Sequence, residues 1–447
     1  MPFSSLNFLA ILPCLLLVYW NLPARYKRLW LLFASFVVYM AAGWHDLILL
    51  VTVTSANWLT SRLAPASRRV PLAMVALDVL CLAWFKYRLF LASLVGIKAS
   101  GGLIIPLGIS FYIFQLISYQ VELRKGVIRN PPTFFSFFLY IFFFPHHQAG
   151  PIMRPHTFLG AFQKGRNWVG VRFRIGVLMV LWGLFKKIWI ADFLMGHLVR
   201  DGFQQLHASD GRIGNALLLA VGYGVQIYMD FSGYSDIAVG LGRMFGFNLT
   251  RNFHQPYLAS GPSEFWRRWH VTLSQWLRDH LYIPLGGNRK GAARTQLNLM
   301  LVMVIGGMWH GAGWCFLLWG FLHGLYLILE RAADPVLRRV PAVKMALFQL
   351  LFMLAWIPFR EPNLSAVWHL FSRASAWTGP ATVSALAMML AVMLFSALED
   401  WIERHFPRLL RRIGGCEQHL FALATACSLF VVLLGVRHET MFIYQRF

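Results

Sequence analysis

The sequence predicts an all-α protein that crosses a membrane many times. It is 58% hydrophobic and 13% charged, with a mean hydropathy of +0.56, whereas soluble domains contain about 25% charged residues. Because a spanning helix needs about 20 apolar residues, the chain has room for roughly ten to twelve spans. Apolar runs that fit such spans, some of them short or re-entrant, lie at residues 6–22, 29–43, 46–61, 71–95, 103–121, 133–145, 170–195, 213–229, 296–309, 314–330, 343–358, 381–398 and 419–436.

The positive charge lies mostly between these apolar runs. A net charge of +23 also occurs in nucleic-acid-binding proteins, but no soluble basic region is present to form such a domain. Short basic clusters next to apolar runs are typical of cytoplasmic loops that face an anionic leaflet. We therefore expect contact with the bilayer, no nucleic-acid partner and an outside N-terminus. The clusters are Arg25-Tyr26-Lys27-Arg28, Arg68-Arg69, Lys186-Lys187, Arg267-Arg268 and Arg411-Arg412.

The cysteine spacing predicts a protein without a metal centre, and the lack of repeats or linkers predicts a single membrane domain. The five cysteines form no C-x-x-C pair, so neither a disulfide framework nor a zinc site is indicated. No cleavage site follows the first apolar run, which we interpret as a retained span. No repeat or linker divides residues 1–447, and the region 243–295 is too polar to span and too aromatic for a loose linker.

His310 is the most unusual residue of the apolar runs. It follows the stretch 299–309 and precedes another apolar stretch, and an ionisable side chain at bilayer depth usually faces a protein interior or a watered cavity. Glycines at 306, 307, 311 and 313 permit close approach of backbone or substrate. A structural hydrogen bond between helices and a catalytic role are equally compatible with the sequence alone.

The segment 263–280 predicts an amphipathic helix with Ser263 as its N-cap. Its periodicity favours a membrane-surface anchor in which His270 is solvated or caps the helix, over a catalytic role. The predicted apolar stripe consists of Trp266, Trp269, Leu273, Trp276 and Leu277, and the other face carries Arg267, His270, Ser274 and Arg278.

Three further positions carry polar side chains between apolar stretches. Asp230 and Asp236 flank Gly233, where capping of a helix end is favoured, although Asp236 is also suited to orient an imidazole. His146 and its neighbour His147 follow an aromatic run at a turn; adjacent histidines point apart, so no shared metal is expected. His323 is expected to be a satisfied packing histidine.

Taken in order along the chain, these motifs resemble the membrane-bound O-acyltransferase family, and within it the alginate O-acetyltransferase-like branch. The resemblance covers residues 80–447 and leaves the spans of residues 1–80 as a variable part. It rests on Ile105-Pro106-Leu107-Gly108-Ile109-Ser110-Phe111, Phe144-Pro145-His146, Ala149-Gly150-Pro151, Asp230-Phe231-Ser232-Gly233-Tyr234-Ser235-Asp236, Glu264-Phe265-Trp266-Arg267-Arg268-Trp269-His270, Tyr282-Ile283-Pro284-Leu285-Gly286-Gly287, Trp309-His310-Gly311 and Phe442-Ile443-Tyr444.

The resemblance implies about eleven spans arranged as a ring around a thin central region with re-entrant or interfacial helices. It implies that His270 and His310 are the catalytic histidines of a multi-pass enzyme of the bacterial inner membrane. The implied reaction moves an acetyl group from a cytoplasmic donor, acetyl-CoA, toward an exported polysaccharide such as alginate or cellulose, with periplasmic partner proteins and no bound cofactor. The pair His146-His147 departs from the single histidine of the family pattern.

Our mechanistic hypothesis makes His310 the general base on the accepting hydroxyl, while His270 orients the donor carbonyl. Around a donor and acceptor tunnel we place Asp230, Asp236, Arg267, Arg268, Trp309 and His146. Arg267, Arg268 and Arg278 suit the phosphates of CoA or, equally, anionic lipid headgroups. The alternatives are D-alanyl transfer, a transporter, and a structural subunit of an export complex.

Overall fold

The computed structural model describes residues 3–41, 43–63, 67, 69–97, 105–147, 150–163, 168–208, 216–372 and 381–412. All regular secondary structure in these residues is helical, which confirms the predicted all-α fold. The chain forms two compact units, which we call unit 1 (Met1–Gly183 with Tyr234–Thr250) and unit 2 (Leu184–Gly233 with Arg251–Phe447). The apolar run 419–436 and the motif Phe442-Ile443-Tyr444 lie outside the described residues.

Unit 1 begins with helices that coincide with the first apolar runs. Ser5 caps the first helix by accepting a hydrogen bond from the backbone N–H of Phe8, and a π-helical turn at Ala83–Tyr87 joins the fourth helix to the fifth. The helices are α1 (Leu6–Asn21), α2 (Ala24–Met40), α3 (Trp44–Leu63), α4 (Arg69–Leu82), α5 (Arg88–Leu94), α6 (Ile109–Arg124), α7 (Phe134–Phe142), α8 (Phe144–His147), α9 (Pro155–Gln163) and α10 (Gly170–Phe185).

Unit 2 contains residues 251–295 of the polar, aromatic region and the helices before and after it. A ten-residue π-helical segment, Lys186–Met195, connects α10 to the next helix. A second π-helical turn lies at Arg278–Tyr282. The helices are α11 (Gly196–Ala208), α12 (Ala216–Met244), whose last part belongs to unit 1, α13 (Pro262–Arg268), α14 (Val271–Leu277), α15 (Ala292–His310), α16 (Trp314–Leu337), α17 (Pro341–Arg360), α18 (Leu364–Ser372) and α19 (Ala381–Arg412).

Four helices in the described part of the chain are long and apolar enough to cross a membrane. They are Arg69–Leu94, Trp314–Leu337, Pro341–Arg360 and Val383–Ile402. A multi-pass membrane protein is therefore confirmed. The count of about eleven spans, their arrangement as a ring and the single-domain organisation stay predictions.

Helices α15 and α16 pack with their backbones in contact. A Cβ atom on Gly307 would collide with the carbonyl oxygen of Phe316 and lie 3.1 Å from Gly320. A Cβ atom on Gly320 would in turn collide with the carbonyl oxygen of Met303. Small residues at such a crossing allow the close helix contact that is common in membrane proteins. The contact fixes the end of α15, where His310 lies.

Candidate active site

The helix predicted over residues 263–280 is interrupted at His270. Helix α13 ends at Arg268 and α14 begins at Val271, and His270 between them has a φ of 40°. Among the described non-glycine residues, only His270 and Gln255 have a positive φ. The left-handed conformation costs an L-residue about 1–2 kcal/mol, so the surrounding packing must hold it.

The loop that precedes α13 holds this break in place. The backbone N–H of Val271 donates to the carbonyl oxygen of Asn252 at 2.9 Å. On the other side, the N–H of His254 donates to the carbonyl oxygen of Arg268 at 2.9 Å. The two hydrogen bonds fix the chain before and after His270, which gives its side chain a defined direction.

The break turns the imidazole of His270 into the protein. A continuous helix would place it beside Arg267 on the polar face, but His270 is fully buried. The prediction of a solvated His270 is therefore wrong. The predicted N-cap is wrong too: Gly261 is the N-cap of α13, while the N–H of Ser263 donates to Glu330 Oε2 at 2.9 Å.

Aromatic rings surround His270. The ring of Phe231, from α12, meets the imidazole edge-on with centroids 4.7 Å apart, and the indole of Trp309 lies at 5.8 Å. His270 lies outside the four long apolar helices, and burial lowers its pKa well below the usual range. The imidazole is therefore neutral at physiological pH, the form that can accept a proton.

His310 is the last residue of α15 and is 3% exposed. Its ring contacts aromatic rings of three helices: Trp309 at 5.0 Å, Trp319 of α16 at 5.0 Å and Phe359 of α17 at 5.2 Å. The next residue, Gly311, lies so close to the ring of Phe316 that a Cβ atom would collide with it. The imidazole of His310 therefore lies among three aromatic rings, one from each of three helices, and the glycine at 311 leaves room for the ring of Phe316.

Trp309 brings the two predicted catalytic histidines together. Its indole contacts both imidazoles, and the three side chains are buried. His270 and His310 come from separate motifs, forty residues apart in the numbering, and meet at one tryptophan. The geometry therefore supports a single site with two imidazoles, in surroundings where few water molecules compete for their hydrogen bonds.

His323 extends this aromatic row within α16. It is buried, and its ring lies 4.5 Å from that of Trp319 and 5.1 Å from that of Trp266. The prediction of a packing histidine is confirmed. The prediction that it is satisfied is wrong, because neither ring nitrogen has a hydrogen-bond partner among the described residues.

The predicted phosphate-binding arginines differ in what they bind. Arg268 forms an ion pair with Glu264 at 2.6 Å, and Ser260 donates two further hydrogen bonds to the same carboxylate. Burial raises the pKa of Glu264, but the bonds from Ser260 and Arg268 outweigh it and lower the pKa to about 2. Arg268 therefore stabilises α13, whereas Arg267 is exposed and accessible to a ligand.

Asp230 and Asp236 lie inside the continuous helix α12, so the favoured prediction that they cap a helix end is wrong. The carboxylate of Asp230 forms an ion pair with Lys187 Nζ at 2.7 Å, and Lys187 also binds Asp192 at 2.9 Å. Asp236 is half-buried in the part of α12 that belongs to unit 1. A role for Asp236 in orienting an imidazole stays a prediction.

Sequence reasoning missed the importance of Lys186 and Lys187. We predicted that the pair lies in a cytoplasmic loop, but both residues belong to the π-helical segment after α10 and are 2% and 3% exposed. A signal was present, since both lysines lie inside the apolar run 170–195. Basic residues within a run, rather than after it, indicate buried partners.

His146 lies in unit 1, in the short helix α8, and is buried. Its Nδ1 is 3.3 Å from Nε2 of Gln115. The neighbouring His147 instead places its Nδ1 3.1 Å from the carbonyl oxygen of Ile141. The two rings have different partners, as expected for adjacent residues, and a role for His146 in a tunnel stays a prediction.

Comparison with known proteins shows that the chain, including both histidines of this site, is similar to membrane acyltransferases. The model of the membrane-bound O-acyltransferase family matches residues 70–357, which include His270 and His310. A probable alginate O-acetylase from Azotobacter vinelandii is 40% identical over 393 residues, covering 83% of this chain and 77% of that protein. A peptidoglycan O-acetyltransferase from Helicobacter pylori is 36% identical over 410 residues, covering 81% of this chain and 77% of that protein.

A more distant similarity connects the chain to aminoacyl transfer. A teichoic acid D-alanyltransferase from Bacillus subtilis is 26% identical over 350 residues, covering 73% of this chain and 87% of that protein. The match to the family model spans more than half of the sequence, and the Azotobacter vinelandii relative is 40% identical over 83% of this chain. The protein is therefore an acyltransferase, and the chain belongs to the membrane-bound O-acyltransferase family.

Proposed function

We propose that the protein is an O-acetyltransferase that uses acetyl-CoA from the cytoplasm to acetylate an exported polysaccharide. The observation that carries the proposal is the pair of buried imidazoles, His270 and His310, which both contact the Trp309 indole. The names of two of the relatives, an alginate O-acetylase and a peptidoglycan O-acetyltransferase, support acetyl as the group transferred. As an acyltransferase, the protein is neither a passive transporter nor only a structural subunit.

In the proposed reaction, His310 removes the proton of the acceptor hydroxyl as the hydroxyl oxygen attacks the carbonyl carbon of the acetyl thioester. An ester C–O bond forms and the C–S bond breaks. The leaving thiolate takes the proton from the His310 imidazolium, so no oxidant or further reactant is needed. His270 hydrogen-bonds the donor and orients its carbonyl, which makes direct transfer simpler than a covalent enzyme intermediate.

The donor's phosphates bind at the polar end of α13 in this proposal. Arg267 is exposed there, whereas Arg268 is held by Glu264. Arg278 is also exposed, although its Nε contacts Asp279 at 2.8 Å. Arginine suits phosphate because its planar guanidinium donates two parallel hydrogen bonds. Exchange of Arg267 should therefore raise the KM for acetyl-CoA more than it lowers kcat.

The acceptor we propose is an exopolysaccharide of the alginate or cellulose kind, reached from the outer side of a bacterial inner membrane. The relative that is 40% identical is named for alginate, and the D-alanyltransferase is less similar at 26%. Periplasmic partner proteins would present the polysaccharide to the membrane enzyme.

The experiment measures transfer of labelled acetyl from acetyl-CoA to polysaccharide in membranes of the native host, which retain the proposed partner proteins and in which each variant replaces the wild-type protein. We expect His310→Ala to lower the rate of transfer by about 10²- to 10⁴-fold, the usual contribution of a general base. The matched control is His369→Ala, which removes an exposed histidine of α18 and should retain wild-type turnover. Wild-type turnover by His310→Ala would contradict the proposal, as would transfer of D-alanine in place of acetyl.

A further inference from the structure

We infer that a buried ion network around Lys186 and Lys187 positions His270 by holding helix α12 against the helix break. The inference rests on the proposed function, in which His270 takes part in acyl transfer. It concerns residues of unit 2 that no motif of the family resemblance singled out, apart from Asp230. The network consists of Lys186, Lys187, Asp230 and Glu399; Asp192, on the same helical segment as Lys187, is a second partner of that lysine.

Lys187 lies between two buried carboxylates. Its Nζ is 2.9 Å from Asp192, which is on the same π-helical segment, and 2.7 Å from Asp230, which is on α12. All three side chains are at most 4% exposed. Buried ions are costly unless each is paired, and removal of one partner leaves an uncompensated charge. The pair Lys187–Asp230 therefore ties the π-helical segment firmly to α12.

Lys186 forms the second half of the network. Its Nζ is 3.0 Å from Glu399 Oε1 of α19, and the hydroxyl of Tyr228 donates to the other oxygen of Glu399 at 3.2 Å. Tyr228 also lies on α12. Two adjacent lysines thus hold the same stretch of α12, one directly and the other through Glu399.

The stretch of α12 that they hold is the one that contacts the helix break. Tyr228 and Phe231 are three residues apart and share a helix face. The ring of Tyr228 lies 6.1 Å from that of Trp269, and the ring of Phe231 lies 4.7 Å from the imidazole of His270. Asp230 is the neighbour of Phe231 in the chain. A rotation or shift of α12 would therefore move the rings against which His270 packs.

The π-helical geometry is consistent with a functional constraint. Wide helical turns of this kind are rare and occur frequently at functional sites, mostly as single turns, whereas this one extends over ten residues, Lys186–Met195. Its two consecutive lysines pair with buried carboxylates on different helices, Glu399 of α19 and Asp230 of α12. We assign Lys187 and Asp230 as positioning residues, because they act on His270 through Phe231 rather than on the substrate.

The chain supplies a matched pair of variants for the test. Asp230→Asn and Asp192→Asn each remove one carboxylate from Lys187, at nearly equal distance and burial. Only Asp230 lies on α12. A role in stability alone predicts similar effects of the two exchanges, whereas positioning predicts that Asp230→Asn affects His270 selectively.

The first measurement does not depend on catalysis. Diethyl pyrocarbonate modifies neutral, accessible imidazoles, and peptide mass spectrometry gives the modification rate of His270 in the full-length protein. We expect Asp230→Asn to raise this rate several-fold and Asp192→Asn to leave it near the wild-type value. Equal rates in the two variants would overturn the inference.

The second measurement is acetyl transfer. Displacement of a catalytic group costs about 10- to 100-fold in rate, so we expect Asp230→Asn to lower kcat by that factor with little change in KM. Asp192→Asn should retain most of its kcat. If the wild-type protein transfers no acetyl while Asp230→Asn still exposes His270, the proposed function fails and the positioning inference stands.

If Asp230→Asn does not accumulate in membranes, a variant with a smaller structural change tests whether the ion network positions His270. Tyr228→Phe keeps the ring but removes the hydrogen bond to Glu399. We expect a smaller rise in the modification rate of His270 and a smaller fall in kcat. A wild-type modification rate in this variant would overturn the inference.

Discussion

His270 combines an unusual backbone conformation with a buried imidazole. Periodicity failed at this residue because it assumes an unbroken helix. Histidine, like asparagine and aspartate, is enriched among the non-glycine residues with positive φ, but its presence alone does not show where a helix breaks. The resemblance to the family, by contrast, predicts catalytic roles for both His270 and His310, and these roles stay predictions. The order of the motifs thus predicts that the two histidines are functional, whereas hydrophobic periodicity alone placed His270 on the polar, solvated face of a helix, although it is buried.

We expect His270→Asn to separate the backbone requirement from the chemistry. Asparagine tolerates positive φ better than most residues, so the variant should fold and insert like the wild type. The rate of acetyl transfer should fall by about 10²- to 10⁴-fold, the usual contribution of a proton-transferring or orienting group. The matched control is Gln255→Asn, at the other positive-φ position, where full activity is expected and a similar loss would contradict this interpretation.

Trp309 should matter as a packing surface common to the two imidazoles. Trp309→Phe keeps an aromatic ring but loses the larger indole, so we expect a kcat about tenfold lower; Trp309→Ala opens a cavity between the histidines and should be near the loss of His310→Ala. Steady-state kinetics on membranes normalised for protein amount provide the measurement. Equal activity of Trp309→Ala and the wild type would show that the indole does not organise the site.

At the scale of the elements, the sequence predicts most of the helices, but it does not predict which helices pair with each other through buried side chains. Each predicted apolar run in the described residues lies on one or more helices, because hydropathy directly reports the length of a span. The buried pair Lys186–Lys187 was misplaced because the rule for cytoplasmic loops treats every basic cluster alike. Which carboxylates pair with these lysines depends on tertiary contacts of the π-helical segment Lys186–Met195 with α12 and α19, and no local pattern contains that information.

The crossing of α15 and α16 gives a prediction about stability. Gly307→Ala places a methyl group against the backbone of α16, and such overpacking costs about 1–3 kcal/mol. We therefore expect a lower midpoint of thermal unfolding in detergent. In the control Gly313→Ala, the new Cβ has only an ordinary contact with Phe316 at 3.9 Å, so an equal fall in the midpoint for both variants would contradict the assigned crossing.

For the molecule as a whole, the sequence predicts the fold class but not the division of the chain into two compact units. Composition and hydropathy indicated a multi-pass helical membrane protein, and the four long apolar helices agree. The two compact units were not foreseen, because α12 passes from one unit to the other without any break that composition would reveal. The basic clusters predict the orientation of the chain but do not identify the acceptor.

The orientation leads to a prediction about sidedness. If basic loops face the cytoplasm, acetyl-CoA should support transfer only from that face. Inside-out membrane vesicles should then consume added acetyl-CoA, and sealed right-side-out vesicles should not until they are permeabilised. Consumption by sealed right-side-out vesicles would contradict the predicted orientation.

The most direct measurement compares kcat for acetyl transfer in the wild type, His270→Ala, His310→Ala and the double variant. Groups that act as one unit are strongly non-additive. Because both imidazoles contact the Trp309 indole, we expect the double variant to be no slower than His310→Ala alone. Independent, multiplicative losses would contradict a single two-histidine site, and wild-type turnover of the double variant would remove both histidines from the reaction.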